Sequence, residues 1–239
     1  KVDNLKKVEA LPVYQSGVSP VLSSSVSTVA PTLADTNTSV IVFSWTDPKY
    51  ATSLANTKYV LEIDSTGKSF GVENTKTVVG VLSASLTGRE LNALLLNLGF
   101  KIGVTQSIDV VLFASYLNNN EKRISNIITI KVTPFPDPSI LSTQNTSVVC
   151  TLPNAALPSN TFSWTPTFSG FAGAITYTLQ YDSAGKNFVA PIDIPVGASI
   201  LSKGLTQGEM NTTALNSGIP GGNIGKVEYR IKGVTSNGT

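Results

Sequence analysis

The chain has 239 residues, a net charge of +2 and only 13% charged residues. It contains no histidine and one cysteine, Cys150. This excludes an intrachain disulfide, Ser-His-Asp or Cys-His catalysis and any His-ligated metal site. Lys and Arg form no stripe, so contact with nucleic acid phosphates is disfavoured. No apolar run approaches the ~18 residues that span a bilayer as a helix.

Residues 1–19 are polar with scattered apolar residues and read as an extended leader. From Pro20 onward the pattern is that of half-buried strands. Ile41, Phe43 and Trp45 share one face. Tyr59, Leu61 and Ile63 share another, with Val60 and Glu62 opposite. Asp64-Ser65-Thr66-Gly67 closes a hairpin, because Asp bonds backbone ahead of it and Gly accepts positive φ. Thr87-Gly88-Arg89-Glu90 is a capping box that starts a helix. Leu91, Leu94, Leu95 and Leu98 follow at helical spacing, and Gly99 is its C-cap. Ile108, Val110, Leu112 and Ala114 resume the alternation, as do Ile128, Ile130 and Val132. Pro134, Pro136 and Pro138 form a short, stiff hinge.

The same sentence is then repeated. Phe43-Ser-Trp-Thr46 returns as Phe162-Ser-Trp-Thr165, 119 residues on. Tyr59–Phe70 returns as Tyr177–Phe188, and Leu86–Asn92 as Leu205–Asn211. The second helix keeps its capping box (Thr206, Glu209) and its glycine (Gly218). It replaces the four leucines with Met210, Thr213, Ala214 and Ser217. Short regular strands around a Trp predict an all-β fold: two tandem immunoglobulin-like β-sandwich domains, each with one short helix in a crossing connection. The divisions expected are a leader or tether at 1–19, a first domain at 20–133, a hinge at 134–138 and a second domain at 139–239. Thr235–Thr239 aligns with Tyr116–Asn120, and the counterpart of Ile127–Val132 is missing. The second domain therefore lacks its last strand, and the natural protein is expected to continue beyond Thr239.

Several residues invite a functional reading. Trp45 and Trp164 could stack sugars, but their place in alternating apolar strands assigns them to cores. Tyr59, Tyr177 and Tyr181 point inward by the same count. Tyr14, Tyr50 and Tyr116 fall in expected loops and are the better surface aromatics. Glu62, Asp64, Asp182 and Asp193 are strand-face or turn carboxylates with no defined separation across a cleft, so catalysis is not expected. Gly-Lys at 67–68 and 185–186 lacks the rest of a phosphate loop. Neither calcium-loop spacing nor a cofactor motif is present. Cys150 reads as a small buried residue.

Ser19-Pro-Val-Leu22, Phe43-Ser-Trp-Thr46, the Tyr59–Phe70 motif and Leu86–Asn92 together resemble the SusE family of Bacteroidetes outer-membrane lipoproteins. The motifs recur in the second copy, so the resemblance covers roughly 17 to 239. It implies a non-enzymatic, surface-exposed lipoprotein beside a SusC-like TonB-dependent transporter and a SusD-like glycan-binding lipoprotein. It implies polysaccharide utilisation, with starch among the candidate glycans. It also implies immunoglobulin-like domains that precede carbohydrate-binding domains. A lipidated cysteine just before Lys1 would supply the anchor, and glycan recognition would fall to domains beyond Thr239. The glycan-binding residues are unknown. The resemblance further marks Ser65 and Ser183, in Asp-Ser-Thr and Asp-Ser-Ala, as possible O-glycosylation sites; an Asx turn explains the same residues. Three other readings stand beside this one: a direct carbohydrate-binding module, a structural or adhesive surface protein of immunoglobulin-like repeats, and an accessory domain of an enzyme whose catalytic part lies downstream.

Overall fold

The computed structural model describes residues 17–70 and 74–238. Most of the expected leader, with Tyr14, lies outside the described residues. The chain divides into two compact units, one from Lys1–Gly88 with Val104–Thr133 and one from Arg89–Gly103 with Pro134–Thr239.

The first repeat runs β1 (Leu22–Ser24), β2 (Thr28–Val29), β3 (Ser39–Trp45), β4 (Thr57–Ser65), β5 (Asn74–Val79), β6 (Ser83–Thr87), α1 (Gly88–Asn97), β7 (Gln106–Tyr116), β8 (Arg123–Ile124) and β9 (Ile128–Val132). One sheet has the order β1-β3-β6 and the other β2-β9-β7-β4-β5, with β8 on β7. β2 pairs parallel with β9, while the other pairings are antiparallel. The chain changes sheet between β1 and β2, and again across α1, which joins β6 to β7. Two sheets of this order and connectivity are the immunoglobulin-type sandwich. Phe43, Trp45 and Leu86 on one inner face meet Leu61, Ile108, Leu112 and Ile130 on the other, all buried. Trp45 packs on Tyr59 of the opposite sheet, with ring centroids 5.2 Å apart.

The second repeat follows as β10 (Leu141–Thr143), β11 (Pro158–Trp164), β12 (Ile175–Ser183), β13 (Ile192–Ala198), β14 (Ser202–Thr206), α2 (Gln207–Asn216) and β15 (Val227–Thr235). Its sheets are β10-β11-β14 and β13-β12-β15. The register repeats: Leu22 faces Trp45, and Leu141 faces Trp164. The core is Phe162, Trp164, Tyr177, Leu179 and Leu205. The fold class is thus all-β, two tandem sandwiches, each with one helix in the crossing connection.

Both helices stop in the same way. Gly99 (φ 81°) donates to Leu96 and Phe100 to Leu95; Gly218 (φ 80°) donates to Leu215 and Ile219 to Ala214. This is the Schellman arrangement around a left-handed glycine. At the start of α2 the capping box closes in both directions, with Glu209 N to Thr206 Oγ1 at 3.2 Å and Thr206 N to Glu209 Oε2 at 2.7 Å. The buried stripe of α1 differs from the one expected. Leu91, Leu95 and Leu96 are buried and Leu94 and Leu98 only half-buried. Contacts in the second unit rotate the helix: Asn92 exchanges two hydrogen bonds with the Phe135 backbone, and Asn237 donates to the Leu96 carbonyl.

The copies differ along one flank. Leu22, Ile108, Val110 and Leu112 are buried, whereas their counterparts Leu141, Val227, Tyr229 and Ile231 are half-buried. In the first copy β9 covers this flank. Among the described residues of the second, β15 is an edge strand.

Candidate functional site

The two sandwiches carry grooves on equivalent outward faces, over β4–β7 in the first and β12–β15 in the second. The first is about 180 Å³ and is lined by Lys58, Glu62, Phe113, Asn119 and Lys122 among others. Lys122 Nζ stands 3.7 Å from the centre of the Phe113 ring, a cation–π contact. Lys58 donates to Asn119.

The second groove, about 310 Å³, lies between the outward face of β15 and the proline segment 136–139. Alternation along β15 sends Glu228, Arg230 and Lys232 outward. Register places Gln180 opposite Arg230 on one side and opposite Asp193 on the other. The three form a row. Gln180 Nε2 donates to Asp193 Oδ1 at 2.7 Å, and Arg230 Nε donates to Gln180 Oε1 at 2.7 Å. Gln180 is 5% exposed, so both ends of its amide are used in a buried place. The guanidinium carbon sits 4.5 Å from the Phe188 ring centroid. Phe188 reaches it because the chain after β12 turns through two left-handed residues, Asn187 and Phe188, both at φ 53°. The Nε bond and the ring contact hold the Arg230 guanidinium, and among the described residues its two terminal nitrogens make no hydrogen bond.

The singled-out aromatics are mostly core. Trp45 and Trp164 are each 5% exposed, and Tyr59, Tyr177 and Tyr181 are buried. Burial, then the Asp47 carboxylate, pushes the Tyr59 hydroxyl up to about 12. Tyr50, expected as a surface aromatic, is buried instead. Its hydroxyl shares its one proton between the Ala114 carbonyl, at 2.9 Å, and that of Glu121, which draws the loop before β4 onto β7. Tyr116 ends β7 half-buried, its ring 4.8 Å from that of Tyr50. Cys150 is half-buried rather than core, and burial pushes its thiol up.

Asp64 and Asp182 end β4 and β12 instead of sitting in the turns themselves. Each accepts from the next residue's backbone N–H at 2.7 Å, one residue short of the contact two residues on that an Asx turn makes. Turns at 65–68 and 183–186 follow, with left-handed Gly67 and Gly185. Ser65 and Ser183 are half-buried, and Ser183 Oγ donates to the Ser217 carbonyl at 2.7 Å. Glu62 is half-buried on the outward face of the first unit, and Asp193 belongs to the second. Among the described residues no three His, Cys, Asp or Glu side chains gather as metal ligands.

Arg230, Lys232 and Phe188 were not singled out from sequence. A signal was present: on the outward face the copies differ where the row forms, Glu62 against Gln180, Val111 against Arg230 and Phe113 against Lys232.

The strand order defines a tandem immunoglobulin-like module with grooves on the outward faces of its sheets. The model of the family described as SusE outer membrane protein matches residues 7–112 and 125–232. The chain belongs to that family of outer-membrane proteins. Among curated proteins none matches. A similar solved structure is that of chicken CNTN1 FN1–FN3 domains, 13% identical with a TM-score of 0.28. The alignment covers 93% of this chain, which spans about 64% of the length of that structure.

Proposed function

We propose that these two modules are the spacer and docking part of a non-catalytic, lipid-anchored surface protein of a SusCD-type glycan-uptake system. The observation that carries this reading is where the aromatic side chains lie. Trp45 and Trp164, the chain's only two tryptophans, bind the two sheets of each sandwich together. Neither ring is on the surface to serve as a stacking platform for a neutral sugar. The modules are stiff sandwiches around these cores, suited to hold other domains at a set distance. Family membership supports the partners: a SusC-like TonB-dependent transporter and a SusD-like lipoprotein. The division into 1–19, 20–133, 134–138 and 139–239 belongs to the same proposal, as does the lipid anchor.

Native co-purification tests the docking part. The protein should be recovered with the transporter and the SusD-like lipoprotein from detergent-solubilised outer membranes, and its reproducible absence would count against docking. O-glycosylation at Ser65 and Ser183 is a separate proposal, supported by their equivalent places at strand ends before a turn. Peptide mass spectrometry of native protein should find both serines carrying glycan. Unmodified peptides would reject it.

A further inference from the structure

The groove of the second unit brings two exposed cations together with a carboxylate and apolar walls. Arg230 and Lys232 lie two residues apart on one face of β15, roughly 7 Å along the strand, and both are exposed. Among the described residues neither is ion-paired. Gln180 and Phe188 fix the Arg230 guanidinium, and its two terminal nitrogens offer a planar fork of the kind that takes a carboxylate through two bonds. Pro136 and Pro138 wall the groove, and Asp137 lines it between them. Three other carboxylates share this sheet face. Asp193 is engaged by Gln180 from the strand next to the lining, and Glu228 and Asp182 face each other outside the groove lining.

We infer that this groove is a binding site for a uronic-acid unit of an acidic saccharide. The cations receive the carboxylate, the prolines receive the C–H face of the ring, and Asp137 accepts from ring hydroxyls. Asp137 decides between ligand classes. A uronic acid carries several hydroxyl donors beside its one carboxylate and can meet Asp137 with them, whereas a ligand whose polar groups are carboxylates alone can meet it only with like charge. A volume near 310 Å³ falls at the small end of ligand pockets and suits one or two sugar rings. The source of such a ligand rests on the glycan-uptake reading above; the chemistry of the groove does not.

Calorimetric titration of the 239-residue protein with digalacturonic acid, maltose and sodium sulfate tests the inference. Digalacturonate should bind at one saturable site and maltose at least about tenfold more weakly, the factor a charge-assisted pair supplies. Arg230→Gln and Lys232→Gln should each weaken digalacturonate by a similar factor, with circular dichroism unchanged. Lack of digalacturonate binding, or affinity unaltered by both substitutions, would overturn the site. Equal affinity for maltose would remove the anion from its chemistry. Displacement by equimolar sulfate would reduce it to an adventitious ion only. Co-purification with the transporter is measured independently, so the two readings can fail separately.

Discussion

Tyr59 and Gln180 show how much one buried polar atom can decide. Tyr59 is neutral in the fold and its hydroxyl titrates at about 12, against ~10 in an unfolded chain. The unfolded state loses its proton first, so this contribution to stability is complete below pH ~10 and is lost as pH rises toward 12. Alkaline unfolding followed by circular dichroism should show that slope, and Tyr59→Phe should flatten it. Gln180 stands between a cation and an anion and satisfies both. Gln180→Ala would remove the charge-assisted bonds to Arg230 Nε and Asp193 Oδ1 and leave both exposed partners to water. It should cost about 1–2 kcal/mol in urea unfolding, and it should also free the guanidinium to rotate.

The helices are short and ten residues long each, so their ends matter as much as their faces. A Cβ built on Gly99 or Gly218 meets nothing within 4 Å. The cost of Gly99→Ala or Gly218→Ala is therefore that of the left-handed backbone alone, ~1–2 kcal/mol. Thermal unfolding should read equal losses for both, despite the different burial of the two helices. Thr206→Ala removes the α2 cap and should cost about 1 kcal/mol. The capping boxes and terminal glycines were legible in sequence because they are local. The buried stripe of α1 was not, because Phe135 and Asn237, distant in the chain, set its rotation.

Each unit holds one tryptophan, which allows the two to be followed separately. Leu141, Tyr229 and Ile231 keep more water contact than Leu22, Val110 and Leu112. Burying a side chain of this size fully is worth ~1.5–3 kcal/mol, so the second core has less to hold it. Trp45→Phe and Trp164→Phe variants isolate the two emissions. The Trp164 signal should change at lower urea than the Trp45 signal. Coincident transitions would show that the difference in burial does not set the order. Leu22→Ala should likewise cost about 2–5 kcal/mol, and Leu141→Ala clearly less.

The repeat, the sandwich class, the helix in each crossing connection and the core role of both tryptophans followed from the sequence by itself. These depend on periodicity, turn chemistry and caps, which act over a few residues. Tyr50 turned inward because its hydroxyl found carbonyls at Ala114 and Glu121, more than sixty positions away. The Asp193–Gln180–Arg230 row needed three strands in register, and Phe188 needed a turn to bring its ring under Arg230. Only the tertiary structure decided these, because cross-strand neighbours are fixed by pairing and register, not by nearness along the chain.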